Sequence, residues 1–272
     1  MLFNKYQYNQ FGINKRGYSQ SSLAFNEEGK EFWVKWILGI EKNDTKAKIL
    51  ADKLRHLQKA RHSALPEIIE YGYDEEQNAF AIVYELLEEV ETFETKVFEL
   101  KTQGAISGLL DLADCLKELH LKFKINHGDI HPANILIDKN GQFYLVDFGL
   151  ADITKTLSQT KELEIFARGF AAPEKLNKLV KGFPFQADIF SIGKVVEWFF
   201  DERQMELAEE YALQLQRLLA ENPVDRPNWQ QVIDTLKNIA VASETEAVQV
   251  AFRSSNGYEI LELLNSSNPI FD

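Results

Sequence analysis

The segment HGDIHPANILIDKNGQFYLVDFG, residues 127–149, limits the possible folds of this chain more than any other. Gly128 and Pro132 disfavour helix around Asp129 and Asn134, the glycine through backbone entropy and the proline through its missing N–H, so both polar residues are expected on a loop. ILID (135–138) and FYLV (143–146) read as two strands around Asn140-Gly141, the pair that most readily adopts a type I′ turn. The hairpin then carries Asp147, with Phe148 and Gly149, back beside the loop. One turn thus holds an acid and a neutral oxygen ligand, and the hairpin returns a second acid to them.

Taken singly, such residues cap turns and end strands in many folds. Together they suit phosphoryl transfer from a nucleotide, which needs a carboxylate to orient and deprotonate the attacking hydroxyl and hard oxygen ligands for Mg²⁺ ions on the phosphates. A zinc pair is not expected from His127 and His131, because position 128 is Gly rather than Glu and Pro132 opposes the helix such a pair needs.

Around this segment the texture changes once. The first 87 residues read as short strands: EFWVKWIL (31–38) is strongly β-prone, and IIEYGYDEEQNAFAIVYELL (68–87) is a hairpin broken at Asp74 to Asn78. Residues 44–60 between them read as a helix with Ile49, Leu50, Leu54 and Leu57 on its apolar side and Asp44 or Thr45 as cap. From about 105, Leu109, Leu112, Ala113, Leu116, Leu119 and Phe123 form one apolar stripe, and helical patterns return over 187–200, 205–220 and 228–240. Residues 241–272 mix polar clusters with short apolar runs and read as a tail or the start of a further segment beyond Asp272.

Charge and hydropathy narrow the partners. With 30 Lys and Arg against 42 Asp and Glu, the net charge of −12 repels a polyanion, so nucleic acid is not an expected partner. No run approaches the roughly 18 apolar residues of a membrane span, and MLFNKYQYNQ lacks a signal pattern, so a cytoplasmic protein without a membrane partner is expected. The single Cys115, in DLADCLKEL, is expected to be a buried helix residue, and alone it forms no internal disulfide.

The sequence resembles the protein-kinase superfamily, and within it the eukaryotic-type Ser/Thr protein kinases, over about residues 10–240. The resemblance rests on HGDIHPAN and DFG, on FWVK, and on AAPE (171–174), DIFSIG (188–193) and NPVDRP (222–227). It implies an α+β, two-lobed fold, with an antiparallel β-lobe over 1–87, a mainly helical lobe over 88–240 and the tail 241–272. The implied activity is transfer of the γ-phosphoryl group of ATP, with Mg²⁺ or Mn²⁺, to Ser or Thr hydroxyls of a protein substrate, this chain itself being one candidate. Asp129 resembles the catalytic base, Asn134 and Asp147 the metal ligands, His127 the brace of the loop, and Lys35 the strand lysine that holds the α- and β-phosphates. Tyr84 stands where the residue guarding the adenine pocket sits. Glu85 to Leu87 would offer backbone hydrogen bonds to adenine, and Glu91 would reach the ribose. Asp188 would anchor the catalytic loop, and Arg226 would pair with Glu174.

The pattern is bent in places. The phosphate-covering loop offers only Gly12 and Gly17, Trp33 replaces a small residue against adenine, and no Glu lies in 44–60, leaving Asp52 as the nearest acid for Lys35. Ala167 replaces the Ser or Thr tied to peptide recognition, and Gly128 and His131 replace an Arg and a Lys; without an Arg at 128 a phosphate at Thr154, Thr156, Ser158 or Thr160 lacks its ordering partner, so phosphorylation there is not expected to be required for activity. Two other readings therefore stay open: a small-molecule phosphotransferase of the aminoglycoside or choline kinase type, and a pseudokinase that binds nucleotide or a partner without turnover.

Overall fold

In EFWVKWI successive side chains point to opposite faces, and apolar residues occupy both, so the strand belongs inside a sheet covered on two sides. A computed structural model, describing residues 2–8, 14–16, 19–148, 169–177 and 184–254, bears this out. Gly12, Gly17, Gly149, Thr154, Thr156, Ser158, Thr160 and Ala167 lie outside the described residues.

Six strands form one antiparallel sheet: β1 (Gln7–Tyr8), β2 (Asn14–Arg16), β3 (Ser19–Phe25), β4 (Glu31–Ile37), β5 (Ile68–Asp74) and β6 (Ala79–Glu85). Their order is β1-β3-β4-β6-β5, with β2 also paired to β3. Lys35 stands opposite Ile82 and Trp33 opposite Tyr84 in the β4–β6 register. Ile37 and Ile82 turn toward the main core, whereas Phe32, Val34, Trp36, Ala81 and Val83 turn to the other face. There Leu2 (0% exposed) and Tyr6 (5%) close a second, smaller core. Trp36 donates its indole N–H to buried Asp74 at 2.6 Å, and the Tyr8 ring packs on Trp36 at 4.8 Å.

Helix α1 (Thr45–Ala60) begins at Asp44, whose carboxylate accepts the N–H of Lys46. Its buried stripe is Ala47, Leu50, Leu54 and Leu57, and Ile49 is 55% exposed. Ile49, expected on the apolar side, therefore faces solvent, because the three- and four-residue spacing back from Leu54 reaches Leu50 and Ala47.

The remaining chain is mainly helical. After β7 (Glu91–Thr92) come α2 (Phe93–Lys96) and α3 (Thr102–Glu118), and α3 ends in a π-turn over Leu119–Phe123. β8 (Ile135–Ile137) is the middle strand of a small sheet, paired with β7 on one side and with β9 (Phe143–Leu145) on the other. Their turn is not type I′, because Gly141 has φ 82 whereas Asn140 is not among the residues with positive φ. Asp138 explains the difference: its carboxylate accepts the N–H groups of Asn140 and Gln142, both at 2.9 Å, and its carbonyl accepts that of Gly141. This favours a type I turn closed by a left-handed glycine. Helices α4 (Pro173–Asn177), α5 (Pro184–Glu202), α6 (Glu209–Leu218) and α7 (Trp229–Ser254) complete the described fold, with α7 packed along α3. Helix α7 runs well past 240, so the first part of the expected tail is helix. Cys115 is fully buried on α3, and burial pushes its thiol pKa up, as a core role implies.

Candidate active site

The loop 127–134 hangs from Asp188 on α5, which is 1% exposed. The Asp188 carboxylate accepts the backbone N–H of His127 (2.7 Å) and of Gly128 (2.8 Å), and His120 donates to it from Nε2 at 2.9 Å. Trp229 donates its indole N–H to His120 Nδ1 at 2.6 Å, which leaves Nε2 as the protonated nitrogen. His120 lies in the π-turn after α3, two residues beyond the helix end at Glu118. Burial alone would push the Asp188 carboxyl up, but the His120 bond and charge, with His127 and the Gly128 N–H, hold it below the ordinary carboxylate range.

His127 ties the loop to the end of β9. Its Nδ1 accepts the N–H of Asp129 at 3.1 Å and its Nε2 donates to the Val146 carbonyl at 2.8 Å. The Nδ1 contact needs a neutral ring, since a protonated Nδ1 cannot accept, and burial pushes the His127 pKa down to about 4. Asp147 follows Val146 with φ 69, a left-handed conformation that a non-glycine residue adopts only where its surroundings enforce it.

Asn134 donates its amide N–H to the Asp129 carbonyl at 2.9 Å and lies 3.4 Å from Asp129 Oδ2, which leaves its carbonyl oxygen as the atom able to bind a hard cation. His131 Nε2 stands 3.8 Å from Asp129 Oδ2. Burial would raise the Asp129 carboxyl, but His131, then His127 and Lys175, hold it below the ordinary range and keep it ionised at neutral pH. The oxygens of Asn134 and Asp147 fit Mg²⁺ or Mn²⁺ by type; among the described residues no cluster of three His, Cys, Asp or Glu offers another metal site.

Lys35 reaches across from β4 and its ammonium meets Asp147 Oδ1 at 2.5 Å. Asp52 is not its partner: that side chain is 62% exposed and pairs with Arg55 at 2.9 Å. Asp52 lies on the solvent side of α1, away from the Leu50–Leu54–Leu57 stripe that faces the core. The α1 position nearest the expected acid carries Lys53, whose charge reaches His127.

Tyr84 is partly buried, and desolvation pushes its phenol pKa up; with Leu57, Leu65, Ile68 and Phe148 it borders a cavity of about 20 Å³, room for about one water. The Glu85 N–H donates to the Glu67 carbonyl at 2.9 Å, so what Glu85 could give a base is its carbonyl, not its N–H. Leu87 follows β6 in the connection to β7, and Glu91, on β7, pairs with Lys96 at 3.0 Å. Farther along, Arg226 grips Glu174 through two bonds of 2.6 and 2.7 Å, stacks over Phe190 and donates to the Gln186 carbonyl. Ser191 donates to the Phe170 carbonyl at 2.8 Å.

Sequence reasoning missed His120, Trp229 and Lys175. His120 sits in an apolar helical run, where a lone polar residue asks for a partner, but nothing local points to Asp188 or Trp229.

The sequence matches the protein kinase domain family over residues 15–240. The chain belongs to that family. Its antiparallel sheet followed by helices is the two-lobed α+β fold of a protein kinase domain, a phosphotransferase fold. The kinase domain is 33% identical over 149 residues to the dual specificity protein kinase zak2 of Dictyostelium discoideum, covering 52% of this chain and 22% of that protein. It is 38% identical over 85 residues to the serine/threonine-protein kinase CHK1 of Saccharomyces cerevisiae, covering 30% of this chain and 16% of that protein. The matched part thus spans less than a quarter of either relative. No helix among the described residues is long and apolar enough to cross a membrane.

Proposed function

We propose that this kinase domain transfers the γ-phosphoryl group of ATP to Ser or Thr hydroxyls of proteins, with Mg²⁺ or Mn²⁺, in the cytoplasm. The observation that carries the reading is the approach of three stretches of chain: Asn134 bonds Asp129 on one loop, the Val146 N–H bonds the Asn134 carbonyl, and the next residue, Asp147, pairs with Lys35 from β4. In this reading the lobes divide near residue 87, and adenine lies against Tyr84, the Glu85 carbonyl and Leu87, with Glu91 near the ribose. Lys35, drawn from Asp147, holds the α- and β-phosphates. Asn134 and Asp147 hold the cation, which when bound neutralises charge on the phosphates. Asp129, ionised and fixed by Asn134, orients the substrate hydroxyl and takes its proton as that oxygen bonds to the γ-phosphorus and the bond to the β-phosphate oxygen breaks. Most of the rate enhancement is then positioning and charge neutralisation.

The test is transfer of labelled phosphoryl from ATP to a degenerate peptide library and, in parallel, to a panel of hydroxyl-bearing metabolites and aminoglycosides. Label on Ser and Thr peptides supports the reading; label on the small molecules alone replaces it with a small-molecule phosphotransferase. The pairing of Lys35 with Asp147 rather than with an α1 acid favours a second reading, a nucleotide-binding pseudokinase. ATP-dependent thermal stabilisation without transfer to any acceptor would establish that one.

A further inference from the structure

Glu174 and Lys175 are neighbours on α4 that engage opposite parts of the domain. Glu174 is buried and held by Arg226 beneath α5, so α4 is fixed from that side. Ser191 holds the Phe170 carbonyl just before it. Lys175 extends the other way and donates its ammonium N–H to the Gly128 carbonyl, immediately before Asp129 in sequence. Gly128 has φ 83 and no side chain, so the loop itself supplies no cation at that position. Its own N–H is already committed to Asp188. The peptide group between Gly128 and Asp129 is therefore approached by Lys175 on its carbonyl and by His127 on the Asp129 N–H. Two positions on, the loop carries His131.

We propose that Lys175 is a positioning residue for phosphoryl transfer: its ammonium clamps the Gly128 carbonyl, orients the Asp129 carboxylate, and makes that orientation depend on α4 being seated through Glu174 and Arg226. The proposal rests on the kinase reading above and adds to it a coupling between the segment before α5 and the catalytic loop.

The experiment compares wild type, Lys175→Met and Lys175→Arg by steady-state kinetics, thermal melting and amide hydrogen exchange of the 126–133 peptide. Lys175→Met should lower kcat about 100-fold, the scale of a small misplacement of a catalytic group, with KM for ATP and the melting temperature unchanged. Exchange at Gly128 to Ile130 should quicken, and Lys175→Arg should restore most of the rate and the protection. Unchanged kcat and exchange in Lys175→Met overturn the proposal. Equal losses of rate and melting temperature in both variants also overturn it, since they mark a merely structural residue. If the wild type transfers no phosphate, the kinase reading fails, and exchange in the 126–133 peptide still decides whether Lys175 holds the loop.

Discussion

Lys35 and Asp147 approach to 2.5 Å from parts of the chain that lie 112 residues apart and form an ion pair. Replacing Lys35 by Met should abolish measurable ATP-dependent thermal stabilisation while leaving the fold intact, because only 12% of that side chain is exposed but its aliphatic length is kept. His127 permits a sharper prediction. The unfolded imidazole takes up a proton near pH 6.5 and the folded one only near 4, so between those values the unfolded chain carries more protons and stability rises with pH. The contribution is complete above about pH 6.5 and is lost as pH falls toward 4, a span of about 3 kcal/mol. Urea unfolding of wild type and His127→Gln across that window should show a flatter pH profile in the variant.

Two element contacts decide whether the loop and α4 stay where they are. Arg226→Met would leave Glu174, 6% exposed, as a buried carboxylate without its guanidinium, at a cost of about 3–5 kcal/mol in urea unfolding. Gly108 on α3 faces the β8–β9 hairpin so closely that an added Cβ would lie 2.2 Å from a Phe143 ring carbon. Gly108→Ala should therefore cost about 1–3 kcal/mol, read as a lowered unfolding midpoint at unchanged m. At this scale the sequence was legible where periodicity and turn chemistry are local: α1, α3, the β5–β6 hairpin and β8–β9 all lie where their patterns put them. It was not legible where a side chain chooses among distant partners. Nothing near Lys35 or Asp52 reveals that the first reaches Asp147 and the second faces solvent, and Asp138 overrode the turn type that Asn140-Gly141 favours. The covering of the sheet's outer face by Leu2 and Tyr6 was likewise hidden, because their contacts lie on β4 and β6.

As a whole, the domain carries one large core through sheet and helices and a second core behind β4, with the site on the inner side. The loop 127–134 is fastened to α5 and α7 through Asp188, His120 and Trp229, and to the hairpin through His127, so its geometry depends on helices distant in sequence. The central claim is that this assembly transfers phosphate with Asp129 as base. Intact-mass spectrometry of the purified domain and of Asp129→Asn, each incubated with ATP, Mg²⁺ and Ser/Thr peptides, tests it most directly. Mass gains of whole phosphoryl groups, on the chain or on the peptides, are expected in the wild type and should vanish in the variant. A folded wild type that produces no gain, or a variant that produces the same gains, would contradict it.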